Sequence, residues 1–105
     1  MSVPVIENWA DLTGIIRSVD KSSRREGFSV VNLLVKAVDD VAGFPNLFDK
    51  EAIIGAVIPI HFPSKVMSDP TVDLTTGRRI RCRVRRATRD LSFVNIEHVA
   101  NLPGR

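Results

Sequence analysis

The sequence predicts an all-β domain, a small barrel of five strands, and three observations carry that reading. From Arg78 to Arg89 the chain alternates. Ile80, Cys82 and Val84 fall on one side, and Arg79, Arg81, Arg83 and Arg85 on the other. That is the two-residue period of a strand with one buried face. Residues 28–38 repeat the period: Val31, Leu33, Val35 and Ala37 make an unbroken apolar face, and the β-branched content favours strand over helix. Between the apolar runs stand clusters of turn formers, at Lys21 to Gly27, around Gly43, Pro45 and Asn46, and at Ser68-Asp69-Pro70. A chain of 105 residues with 44% apolar content suits one domain with a real core.

Each element follows from local chemistry. Residues 1–10 read as an N-terminal arm, 11–100 as the barrel and 101–105 as a short tail. The first strand, Asp11 to Asp20, puts Leu12 and Ile16 on one face, while Ile15 and Val19 break strict alternation; Gly14 is the expected place for a bulge. A polar turn ended by Gly27 leads into the second strand, Phe28 to Val38. The connection from Asp39 to Gly55 should carry a brief helix, Lys50 to Ile54, capped by Asp49 and stopped by Gly55. Its Phe44, Leu47, Phe48, Ile53 and Ile54 are too apolar for a solvated tail and should pack on the barrel. The third strand, Ala56 to Phe62, contains Pro59, which lacks an N–H and marks an edge or a break in pairing. At most one helical turn fits at Ser64 to Met67. The Arg strand is the fourth, and Leu91 to Val99 the fifth, with imperfect alternation. Trp9 is expected to pack over one end of the core; exposed, it would be free to stack on a base.

Several function classes are excluded or disfavoured. The one cysteine, Cys82, forms no internal disulfide and anchors no metal cluster by itself; it reads as a small buried hydrophobe. The N-terminus lacks the basic and apolar regions of a signal peptide. The longest apolar run, Ala52 to Ile60, is too short to span a bilayer and holds Gly55 and Pro59. The expectation is a soluble cytoplasmic protein with no membrane partner. There is no Walker-type phosphate loop and no nucleophile elbow, and His61 and His98 stand without a spaced ligand set. The reading is therefore no enzyme, no cofactor and no metal.

Five strands, a glycine inside the first, a hairpin joining the first two, and long connections before the third strand and before the final hairpin resemble an OB-fold, a Greek-key barrel. The usual helix between the third and fourth strands is reduced here to one turn, with a short helical insertion before the third strand instead. An SH3-like barrel is the alternative. The resemblance implies binding of single strands, oligosaccharides or proteins, with a face centred on strands two and three.

Charge points to a polyanion. Residues 78–90 hold seven Arg and one Asp, a local +6 against −3 for the rest. Alternate Arg residues sit about 6.6 Å apart on a strand, close to the roughly 6 to 7 Å between phosphates of an extended nucleic-acid strand. The expected function is a non-enzymatic nucleic-acid-binding module, single-stranded DNA or RNA in preference to duplex. Arg79, Arg81, Arg83, Arg85 and Arg86 would contact phosphates, helped by Arg17, Arg24 and Arg25. Phe28 and Phe62 would stack on bases, with Phe93 as a further platform. The alternative is an assembly module whose basic strand meets an acidic protein partner or a second subunit. If the Arg face is free, changing Arg81 and Arg83 together to Ser should leave folding near normal.

Overall fold

A computed structural model describes residues 7–21, 26–68, 71–88 and 91–103. Five strands close into a barrel: β1 (Ala10–Asp20), β2 (Phe28–Asp40), β3 (Val57–Pro63), β4 (Arg79–Thr88) and β5 (Leu91–Asn101). Their order around the barrel is β1-β2-β3-β5-β4, with β4 returning to β1. Every pairing is antiparallel except β3 with β5, which run parallel and meet at a single bridge, His61 opposite Phe93. A short helix, α1 (Lys50–Ile53), precedes β3, and a 3-10 turn, Ser64–Ser68, follows it. The all-β barrel is thus what the alternation implied, and the helix before β3 what Asp49 and Gly55 implied. No helix among the described residues is long and apolar enough to cross a membrane.

The core is the set of inward positions. Leu12, Ile16, Val31, Leu33, Val35, Ile60, Phe62, Ile80, Cys82 and Val84 are fully buried. Burial on this scale is the main favourable term in folding. Burial pushes the Cys82 thiol up to about 12, and the nearby negative charge of Asp11 adds to the shift.

Two bulges set the register of β1 against β2. Thr13 faces Ala37 and Gly14 faces Val35, so Lys36 is the extra residue on β2. Past it the faces exchange: Val38 is buried and Ala37 is only half-buried, a correction to the unbroken apolar face expected through Ala37. Then Ile16 faces Leu33 and Ser18 faces Asn32, so Arg17 is the extra residue on β1. That bulge turns Val19 against the core, which resolves the misfit of Ile16 with Val19. Gly14 is required for a different reason from the bulge alone. A Cβ there would collide with the Leu34 carbonyl oxygen and lie 2.8 Å from Leu33 Cγ.

The connection from β2 to β3 is held locally. Asp49 caps α1 by accepting from the N–H groups of Glu51 and Ala52, and Gly55 follows with φ 88°. Trp9 N–H donates to Pro45 O at 3.2 Å, tying the arm to this connection. Phe48 is buried and Ile53 packs against the core, but Phe44, Leu47 and Ile54 stay exposed, so only part of the apolar segment covers the barrel.

Candidate functional site

The outward face of β4 is built as the alternation requires, but two of its four arginines, Arg81 and Arg83, are answered from within. β4 pairs with β1 so that Arg83 stands opposite Asp11 and Arg81 opposite Thr13; Asp11 in turn faces Asp39 on β2. Arg83 donates through Nε to Asp11 Oδ1 at 2.9 Å and through Nη2 to Oδ2 at 3.3 Å. Arg81 Nη1 reaches Asp39 Oδ2 at 3.0 Å, and its Nη2 lies 3.4 Å from Asp11 Oδ2. Burial alone would raise the Asp11 carboxyl, but the Arg83 hydrogen bond, the Arg83 charge and Arg81 outweigh it and hold Asp11 below its ordinary range. The local +6 of the sequence is therefore not a bare basic stripe.

The other predicted residues divide by place. Arg79 is half-buried on the outer face of β4, opposite Ile15, and has no carboxylate partner among the described residues. Arg17, in its bulge, is exposed. Arg78 Nε is 3.3 Å from Asp73 Oδ2, an ion pair without hydrogen-bond alignment. Arg86 turns away from the stripe: its guanidinium lies 5.6 Å from the Phe48 ring centroid and donates to Leu47 O at 3.1 Å. It pins the connection to the barrel. Arg24 and Arg25 lie outside the described residues. Phe62 is a correction as well. It faces inward at 0% exposure and offers no ring face to a base.

Register brings a different group together. Val30 on β2 faces His61 on β3, His61 faces Phe93 on β5, and Phe93 faces Arg85 on β4. Phe28, two residues before Val30, projects from the same face. The Phe28 and Phe93 rings meet edge to face at 5.4 Å, and His61 is 6.4 Å from Phe28 and 5.4 Å from Phe93. The Arg85 guanidinium sits 5.9 Å from the Phe93 centroid, a cation–π contact. Beside these rings opens a groove of about 690 Å³, lined by Trp9, Phe28, Lys65, Arg85, Phe93 and Asn95 among others. Trp9 is half-buried on its wall and does not cap the core.

Four residues of β5, Asn95 to His98, stand opposite Arg83 alone and form a ridge, turned by an Asn95 Oδ1 bond from Glu97 N–H at 3.0 Å. This bulge explains the imperfect alternation of the fifth strand. On its far side lies a second groove of about 300 Å³, lined by Asp11, Arg81, Arg83, Glu97 and His98. Sequence reasoning missed that His61, Arg85 and Phe93 sit side by side, because the signal is a row across four strands. Only the pairing register reveals it.

No family model matches the chain, and no curated protein or solved structure is significantly similar to it.

Proposed function

We propose that this chain is a non-enzymatic module that binds single-stranded nucleic acid across the outer face of β2, β3 and β5. The observation that carries the reading is the meeting of Phe28, His61 and Phe93 on one surface, with Arg85 over Phe93, at the edge of an open groove. Ring faces accept any unstacked base, and a neighbouring guanidinium neutralises a phosphate. A duplex keeps its bases stacked on one another, so a single strand suits this surface better. The strand order β1-β2-β3-β5-β4 with a parallel β3–β5 pair supports the OB-like reading over the SH3-like one. The role of the Arg strand narrows to Arg85, with Arg79 at its far end.

The test is fluorescence anisotropy with labelled single-stranded DNA, single-stranded RNA and duplex DNA, at low and at physiological salt. Single strands should bind more tightly than duplex, with affinity falling as salt rises. Phe28→Ala should cost about 1–3 kcal/mol of binding, the usual worth of one stacked base. Arg85→Ser should reduce the salt slope by about 0.7, one phosphate contact on a single strand. No binding to any of the three at low salt would overturn the reading.

A second reading is an assembly module. Ile15, Leu34 and Val57 stand opposite one another on the outer face of β1, β2 and β3, and Val57 and Ile54 are about half exposed. Such a row suits self-association. Concentration-dependent dimerisation that ignores oligonucleotides would favour it.

A further inference from the structure

Of the three Arg–Asp contacts on β4, the two made by Arg81, to Asp39 at 3.0 Å and to Asp11 at 3.4 Å, are more easily exchanged than that of Arg83 with Asp11. The Arg83 and Asp11 side chains are 27% and 14% exposed and share a two-armed contact. Arg81 and Asp39 are 44% and 53% exposed and share one contact at 3.0 Å. The Asp39 carboxylate makes no other hydrogen bond or ion pair among the described residues. If Arg81 swings away, Asp39 is left in water and Asp11 keeps Arg83. An exposed pair of this kind is worth at most about a five-fold shift in an equilibrium.

The position of Arg81 fits a ligand already placed at the aromatic rings. It projects from the same face of β4 as Arg85, four residues away, about 13 Å along a strand. That span equals about two phosphate steps of an extended single strand. Arg81 also lines the second groove, across the Asn95–His98 ridge from the first. A guanidinium takes two phosphate oxygens in the same fork geometry by which it takes a carboxylate.

We propose that Arg81 is a second phosphate subsite for a single strand seated at Phe28 and Phe93, and that Asp39 fills that subsite in the free protein as an internal stand-in for the phosphate. The proposal rests on the nucleic-acid reading above and extends it to a ligand of at least three phosphates.

The experiment is a mutant cycle read by anisotropy with a single-stranded DNA hexamer and a dinucleotide at low salt. Asp39→Asn should tighten hexamer binding two- to five-fold and leave dinucleotide binding unchanged, since the shorter ligand does not reach from Arg85 to Arg81. Arg81→Ser should weaken the hexamer. Adding Asp39→Asn to Arg81→Ser should then gain nothing, because Asp39 acts through Arg81. An equal gain in both backgrounds would reduce the effect to general charge, and no gain in either would remove the subsite; both overturn the proposal. If the wild-type protein binds no oligonucleotide, the nucleic-acid reading fails by itself. The subsite is then judged by the Arg81 side-chain NMR signal titrated with pyrophosphate. A lower midpoint in Asp39→Asn supports the exchange, and an unchanged midpoint overturns it.

Discussion

Arg83 grips Asp11 with both arms of its guanidinium, Nε to Oδ1 at 2.9 Å and Nη2 to Oδ2 at 3.3 Å, across the seam between β4 and β1. The pair is sheltered, with Asp11 only 14% exposed. Removing Arg83 leaves Asp11 only the longer 3.4 Å contact from Arg81, on a carboxylate that the surrounding barrel wall partly shields from water. Arg83→Ser should therefore cost about 1–3 kcal/mol of stability, against the expectation that the face tolerates such a change. Adding Asp11→Ala should recover part of that loss. Urea unfolding with an unchanged slope is the check; a single variant as stable as the wild type would make the pair ornamental.

Acid sensitivity follows from the same pair. The folded Asp11 carboxyl is held below its ordinary range by the two guanidinium groups, after burial has been outweighed. A depressed folded value means the stabilisation is fully present above the unfolded value, about 3.9, and is lost as pH falls toward and through the folded one. Wild-type unfolding midpoints should begin to drop as pH falls through about 4 and go on dropping toward the folded value, and Asp11→Asn, already lacking this contribution, should drop less over the same range. Parallel curves for the two proteins would contradict the assignment.

Gly14→Ala should be among the more damaging small changes in the barrel. Its Cβ would strike the Leu34 carbonyl oxygen, part of a paired backbone with little freedom to retreat, and crowd Leu33. A loss of about 1–3 kcal/mol is expected from such overpacking. Thermal melts of the variant beside a Gly43→Ala control, whose added Cβ meets nothing within 4 Å but takes the strain of φ 87°, separate crowding from backbone strain.

Phe28 and Phe62 should part company experimentally. Phe62→Ala opens the core and should cost about 3–5 kcal/mol of stability. Phe28→Ala sits on the half-buried outer face and should cost less stability while weakening oligonucleotide binding. Comparable unfolding and equal binding losses for the two would deny the division of faces.

Cys82 should be inert in the folded protein. Its thiol is fully buried and pushed up to about 12, so at pH 8 only about one molecule in ten thousand carries the thiolate that reacts. A thiol reagent at pH 8 should label it only after denaturant is added.

The strands were legible because alternation is a local property. Ile80, Cys82 and Val84 point inward as their spacing says, and Pro59 does stand where β3 has lost most of its pairing with β5. The faces were less legible wherever a bulge intervenes. Nothing in residues 28–38 announces that Lys36 is the extra residue, and the inward set shifts from Ala37 to Val38 because of it. The Arg strand misled for a physical reason. Its neutralising carboxylates lie 72 residues away for Arg83–Asp11 and 42 for Arg81–Asp39. A running charge count sees clusters in sequence, whereas Coulomb attraction acts through space. Phe62 and Phe28 differ only in which way their strands turn them, which register decides and composition does not.

The parallel contact of β3 with β5 rests on one bridge, His61 opposite Phe93, while the β1–β2 and β4–β5 ladders run long. A cylinder sewn by many stitches along four seams and one along the fifth has a built-in slit. Hydrogen exchange should be fastest along that slit, where the fewest backbone pairings hold the wall closed. The rings of Phe28, His61 and Phe93 straddle the slit. A strand of nucleic acid lying across them would act as a suture, so occupancy of the face and slow opening of the barrel would rise together.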